Sequence, residues 1–195
     1  MLLTCCTHNS RLPAHLQASV GGQGLLAQQP LAPNGLGRTP NQAAPSWAVL
    51  RGPAALLYGG NANLYHCGLQ DYAQMLGMLA SSTLDTTRVI PAIGPDFGKM
   101  MDQAQLLRGS GYQTAMVLPM QGFTSEQGVA DGIRRFVDVA QMPVTLYLKS
   151  ESYIDIARLG ALVDEGRVAV VKYAVVRQDP ANDPFLERLI ERIST

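Results

Sequence analysis

Lys172 stands in the middle of Val168-Ala169-Val170-Val171-Lys172-Tyr173-Ala174-Val175-Val176, with nothing but Val, Ala and Tyr for four residues on either side. An ammonium group is strongly hydrated, and burying it unpaired is costly, so its proton affinity falls instead. A lysine held neutral in this way is a nucleophile that can form an imine with a carbonyl compound. The other reading of the same run is a lysine whose stem packs at a strand end while its head reaches water. The run alone does not separate the two, and the elements around it carry the argument further.

From about Ala48 short apolar runs alternate with amphipathic segments. Ala54 to Tyr58 reads as a strand ending at Gly59-Gly60, and Leu69, Tyr72, Ala73, Leu76, Leu79 and Ala80 then fall on one helical face. Arg88 to Ile93 is the next strand, followed by a helix around Met100, Ala104 and Leu107. Gln113 to Leu118 is a strand stopped by Pro119. Thr124 and Gln127 have the spacing of a capping box before a helix burying Val129, Ile133, Phe136, Val137 and Ala140. Pro143 to Leu148 is a strand, and Ser152 to Glu165 a helix with Gly166 at its C-terminal cap. After the lysine strand, Asp183-Pro184 opens a last helix with proline at its favoured first position.

Strand and helix thus alternate five times, which predicts βαβ units and a parallel sheet. Chemistry in such folds gathers at the C-terminal strand ends. Gly59, Gly60 and Asn61, Pro119, Tyr147 and Lys172 all fall there, as candidates for one pocket. No GxGxxG follows a strand, so a dinucleotide is disfavoured and no cofactor is expected.

Composition narrows the classes. Lys plus Arg and Asp plus Glu are balanced at 15 each, which leaves no electrostatic footprint for nucleic acid or an anionic membrane. No apolar run reaches the length of a membrane span. Cys5, Cys6 and Cys67 are odd in number and two are adjacent, which suggests a reducing, cytoplasmic setting. With His8, His15 and His66 scattered, no metal site is expected. Residues 1–46, rich in Gly, Pro, Gln, Asn and Ala, read as disordered or as non-native sequence preceding a domain over residues 47–195.

A Gly-rich loop after one strand, a Leu118-Pro119 strand end, Pro143-Val144-Thr145-Leu146-Tyr147, and Val170-Val171-Lys172-Tyr173-Ala174 follow one another in order. Together they resemble the dihydrodipicolinate synthase and N-acetylneuraminate lyase family of class I aldolases, from about Ala54 to the C-terminus. The resemblance implies a (β/α)8 TIM barrel and an imine between a lysine and a 2-keto acid, usually pyruvate. It assigns the imine to Lys172 and proton relay to Tyr147, whose phenol can donate and accept at one oxygen. A core aromatic with a satisfied hydroxyl is the alternative for Tyr147. Gly59, Gly60 and Asn61 match the loop that holds the keto-acid carboxylate.

The chain also departs from the family pattern. Gly60 and Asn61 replace two threonines, Met120 a tyrosine, and Leu148 and Ser152 an asparagine and an arginine. Lys149 offers a cation nearby, or is a surface lysine at the start of a helix. These departures point away from dihydrodipicolinate synthesis and sialic acid cleavage as such. Five strands of eight are visible, and 23 residues follow Lys172, so the expected fold is a partial TIM barrel that would need a partner to close it. Full family members are dimers or tetramers, and a homo-oligomer is expected here only with a completed barrel. A catalytically inactive fragment and a sugar- or phosphate-binding α/β domain using the Gly59-Gly60-Asn61 amides are the alternative functions.

Overall fold

Parallel strands covered on both faces need apolar residues at nearly every position, and this chain supplies such runs between amphipathic helices. The computed structural model describes residues 2–5, 54–60, 64–82, 87–120, 122–179 and 181–194. The strands are β1 (Leu2–Cys5), β2 (Ala54–Tyr58), β3 (Thr87–Ile93), β4 (Ala115–Val117), β5 (Val144–Leu148) and β6 (Val168–Tyr173). The helices are α1 (Leu69–Ser82), α2 (Phe97–Leu107), α3 (Glu126–Ala140), α4 (Ile156–Asp164) and α5 (Pro184–Ile193). A single 3-10 turn, Leu64–His66, precedes α1. The sheet order is β1-β6-β5-β4-β3-β2, with every neighbouring pair parallel. From β2 to β6 each strand pairs with the next in sequence, and a helix covers each crossover. This is a partial (β/α)8 barrel of five consecutive strands, as the sequence predicts.

Leu2–Cys5 adds a sixth strand along the outer edge of β6. Sequence reading expects no strand there. Four residues carry too little pattern to register locally, and this strand exists by backbone pairing to an edge far along the chain. The remainder of the expected disordered segment lies outside the described residues.

The helices correct three local expectations. The buried face of α1 is Tyr72, Met75, Leu76 and Leu79, whereas Ala73 and Ala80 are exposed. The larger side chains set its rotation, since each buries more apolar area than an alanine. The cap of α3 is Ser125, whose hydroxyl accepts the Gly128 N–H at 3.0 Å. Thr124 instead donates its hydroxyl to the Met120 carbonyl, and Gln127 turns to Asp131 on the next turn. The predicted helix from Ser152 begins only at Ile156, where the Asp155 carboxylate caps the Arg158 N–H at 2.7 Å. Gly166, at φ +69°, ends that segment as expected.

Two buried polar contacts fix strand ends. Gln103 of α2 reaches back to accept the Gly94 N–H at 2.7 Å, which holds the end of β3. Asp183 does the same for β6. Its carboxylate accepts the Tyr173 hydroxyl at 2.7 Å, the Leu186 N–H at 3.0 Å and Arg177 at 2.8 Å. Phe185 stacks on the Tyr173 ring. Among the described residues no helix is long and apolar enough to cross a membrane.

Candidate active site

Alternation along β5 and β6 turns Leu146, Leu148, Val171 and Tyr173 to the helical side and leaves Tyr147 and Lys172 for the opposite face. Tyr147 and Lys172 are direct partners in the β5–β6 register. In parallel strands such partners share a face, so a tyrosine and a lysine 25 residues apart become neighbours. The Lys172 nitrogen sits 3.6 Å from the centre of the Tyr147 ring. Both residues are buried, with 2% of Lys172 and 4% of Tyr147 exposed. An aromatic ring face is a favourable neighbour for a lysine nitrogen, and it helps to fix the side chain in place.

Gly60 closes the same spot from β2. A methyl group on it would lie 3.6 Å from both the Lys172 nitrogen and Cε1 of Tyr147, and 3.3 Å from the end of Met116. The missing side chain therefore keeps open the space in front of the amine. Gly59 has a separate, local reason to be glycine. Its φ is +107°, and a Cβ would fall 2.1 Å from Cδ1 of Leu64. The turn that Leu64 begins is tied down by Lys99 of α2, which donates to the Leu64 and Tyr65 carbonyls at 2.9 and 3.0 Å. Asn61, the third predicted loop residue, lies outside the described residues. The next helix after the loop, α1, begins only at Leu69.

Lys149, one residue past β5, belongs to the same face as Tyr147 and brings its nitrogen to 5.0 Å from the same ring centre. Its side chain is exposed, which agrees with the reading of a surface lysine. Ser152 stands where an arginine would match the family. Its hydroxyl is 2.9 Å from that of Ser150. With Met120, Gly122, Thr124 and Tyr153, these serines line a small cleft of about 100 Å³ between the loops that follow β4 and β5. The cleft is separate from the lysine, which does not line it. Arg177, in the loop after β6, is held by Asp183 and by Glu151. Among the described residues no cluster of His, Cys, Asp or Glu could hold a metal ion.

No family model and no curated protein sequence matches this chain. Its structure, however, resembles several solved ones. Dihydrodipicolinate synthase from Bacillus clausii aligns with a TM-score of 0.60 at 18% identity, over 71% of this chain and 45% of that one. N-acetylneuraminate lyase from Fusobacterium nucleatum gives 0.59 at 13% identity, over 72% and 48%. A prophage protein of the dihydrodipicolinic acid synthase family from E. coli K12, in complex with pyruvate, gives 0.59 at 15% identity, over 72% and 48%. The chain thus spans less than half the length of these structures. Over that span it has the fold of the dihydrodipicolinate synthase and N-acetylneuraminate lyase structures.

Proposed function

We propose that this chain is a divergent member of the dihydrodipicolinate synthase and N-acetylneuraminate lyase family, and that Lys172 forms an imine with a 2-keto acid such as pyruvate. The observation that carries this reading is the buried Lys172 nitrogen on the Tyr147 ring, facing the gap left by Gly60. Pyruvate-bound structures of the same fold, among them the Fusobacterium nucleatum lyase, support the choice of keto acid.

The chemistry divides among few groups. The neutral amine of Lys172 adds to the keto carbon, and the carbonyl oxygen then departs as water with the two protons the nitrogen gives up. Those protons need a carrier between nitrogen and oxygen. The Tyr147 phenol can accept at its oxygen and donate its hydrogen, so it serves in both directions. Gly59 and Gly60 present backbone to the bound acid, with Asn61 next in the loop.

Borohydride reduction in the presence of pyruvate, read by intact mass and peptide mapping, tests the assignment. One reduced pyruvate adduct on Lys172 is expected. A cooperatively folded sample that acquires no adduct sinks the keto-acid reading. Tyr147→Phe refines the test, because it keeps the ring and removes only the hydroxyl. Trapping on Lys172 is expected to slow by about 10²–10⁴-fold, the usual contribution of a positioned acid–base group. An unchanged rate would return Tyr147 to the role of a core aromatic.

A further inference from the structure

The ladder between β5 and β6 stops just beyond the reactive pair. Tyr147 partners Lys172, Leu148 partners Tyr173, and the Ala174 N–H donates to the Leu148 carbonyl at 2.9 Å. Past that bond the two strands give way to loops, and the ends of a ladder are where strands open first. Among the described residues one ion pair spans the two loops. Glu151, four residues after Tyr147, pairs with the Arg177 guanidinium, five residues after Lys172. Building on the keto-acid reading above, we infer that the Glu151–Arg177 bridge is a positioning device, which holds Tyr147 and Lys172 at the separation that proton transfer needs.

Arg177 is anchored on the β6 side. The Nη2 that meets Glu151 also lies 2.8 Å from the Asp183 carboxylate and 3.3 Å from the Tyr173 hydroxyl, which itself donates to Asp183 at 2.7 Å. Tyr173 follows Lys172 directly and is buried, so the guanidinium is fixed to the strand that carries the amine. Glu151 then ties the loop after β5 to that anchor. The Nε of Arg177 is buried and has no hydrogen-bond partner among the described residues. A buried donor left unpaired costs stability, so this side chain is not arranged for stability alone. Its guanidinium is turned to reach both loops at once. Catalytic geometry is exacting, and a misplacement of about 1 Å can cost about 100-fold in rate. The Glu151 side chain is 43% exposed, and an ion pair with so exposed a partner contributes little to folding. The bridge can therefore be cut without unfolding the chain.

The test is a double-substitution cycle, read by the rate at which borohydride-trapped adduct forms on Lys172 at saturating pyruvate. Glu151→Ala cuts the bridge and leaves the buried contact between Arg177 and Asp183 in place. It is expected to slow trapping about 10- to 100-fold. Its melting temperature should stay within about 4 °C of the parent. Glu151→Gln should recover part of the rate, because its amide oxygen still accepts from the guanidinium. In a Tyr147→Phe background, Glu151→Ala should slow trapping by no more than about twofold further, since the hydroxyl it positions is already gone. If Glu151→Ala traps at the parent rate, the bridge is a surface ion pair and the inference fails alone. If the two losses multiply, the bridge acts on something other than Tyr147, which also overturns it. If the unsubstituted chain traps no pyruvate, the keto-acid reading fails and takes the positioning role with it.

Discussion

Lys172→Met is expected to yield a chain that captures no keto acid yet melts within about 6 °C of its parent. The loss of capture is complete, because a thioether cannot form an imine. The effect on stability follows from where the nitrogen sits. Lys172 is 2% exposed and packed on the Tyr147 ring. Methionine is close to lysine in volume, and a swap that conserves volume costs less than about 1.5 kcal/mol. Methionine suits the position, being unbranched and favourable against an aromatic ring. In a chain of this size each kcal/mol moves the melting temperature by roughly 2–4 °C. Lys172→Ala is the useful contrast. It also abolishes capture but leaves a cavity, so it should melt lower. Thermal melts of the three proteins at one pH decide the matter. If Lys172→Met melts as low as Lys172→Ala, the amine is a structural tie and its burial ceases to argue for chemistry. A group whose replacement leaves the fold standing while ending a reaction is retained for the reaction.

The strands and the pairing of Tyr147 with Lys172 were legible because both depend on short-range pattern. A strand covered on both faces reads as a nearly continuous apolar run, and Val144–Leu148 and Val168–Tyr173 are such runs, broken only by Thr145 and Lys172. Once a helix is recognised between them, parallel pairing follows, and it sets Tyr147 beside Lys172. Features resting on side-chain competition were less visible. Thr124 and Ser125 are both good caps by type. The choice fell to Ser125 because Thr124 bonds to the Met120 carbonyl, a contact that depends on the path of the preceding loop. The strand Leu2–Cys5 was invisible for a different reason. Its partner is β6, more than 160 residues away, and four residues have no period of their own. The Asp183 cluster was half seen. Asp183-Pro184 announced a helix start, but nothing local connects that aspartate to Tyr173 or Arg177.

That cluster supports the second large effect. Asp183→Ala is expected to cost roughly 3–5 kcal/mol, the usual result of removing one partner from a buried charged pair. On the order of 10 °C of melting temperature goes with it. Three groups lose their acceptor at once: the Tyr173 hydroxyl, the Arg177 guanidinium and the Leu186 N–H at the start of α5. Asp183 is itself only 6% exposed, so water is poorly placed to substitute. Asp183→Asn should cost less, because the amide oxygen can still cap α5. The pH dependence gives the sharper check. Burial pushes the Asp183 carboxyl up, but Arg177, the Leu186 N–H and the Tyr173 hydroxyl outweigh it and hold it below the ordinary carboxylate value. A carboxyl depressed in the folded state contributes stability that is complete above its unfolded value, about 4. That contribution is lost as pH falls through the lower folded value. The gap between the parent and Asp183→Ala should therefore be full at neutral pH and shrink progressively in acid below about pH 4. Denaturant melts of both proteins across that range measure it, and a gap independent of pH would mean that the carboxylate charge contributes nothing. The same contacts bear on chemistry, because Tyr173 is the residue after Lys172. Asp183 pins the outer side of the strand whose inner side carries the amine, so its loss should loosen the lysine before it unfolds the chain.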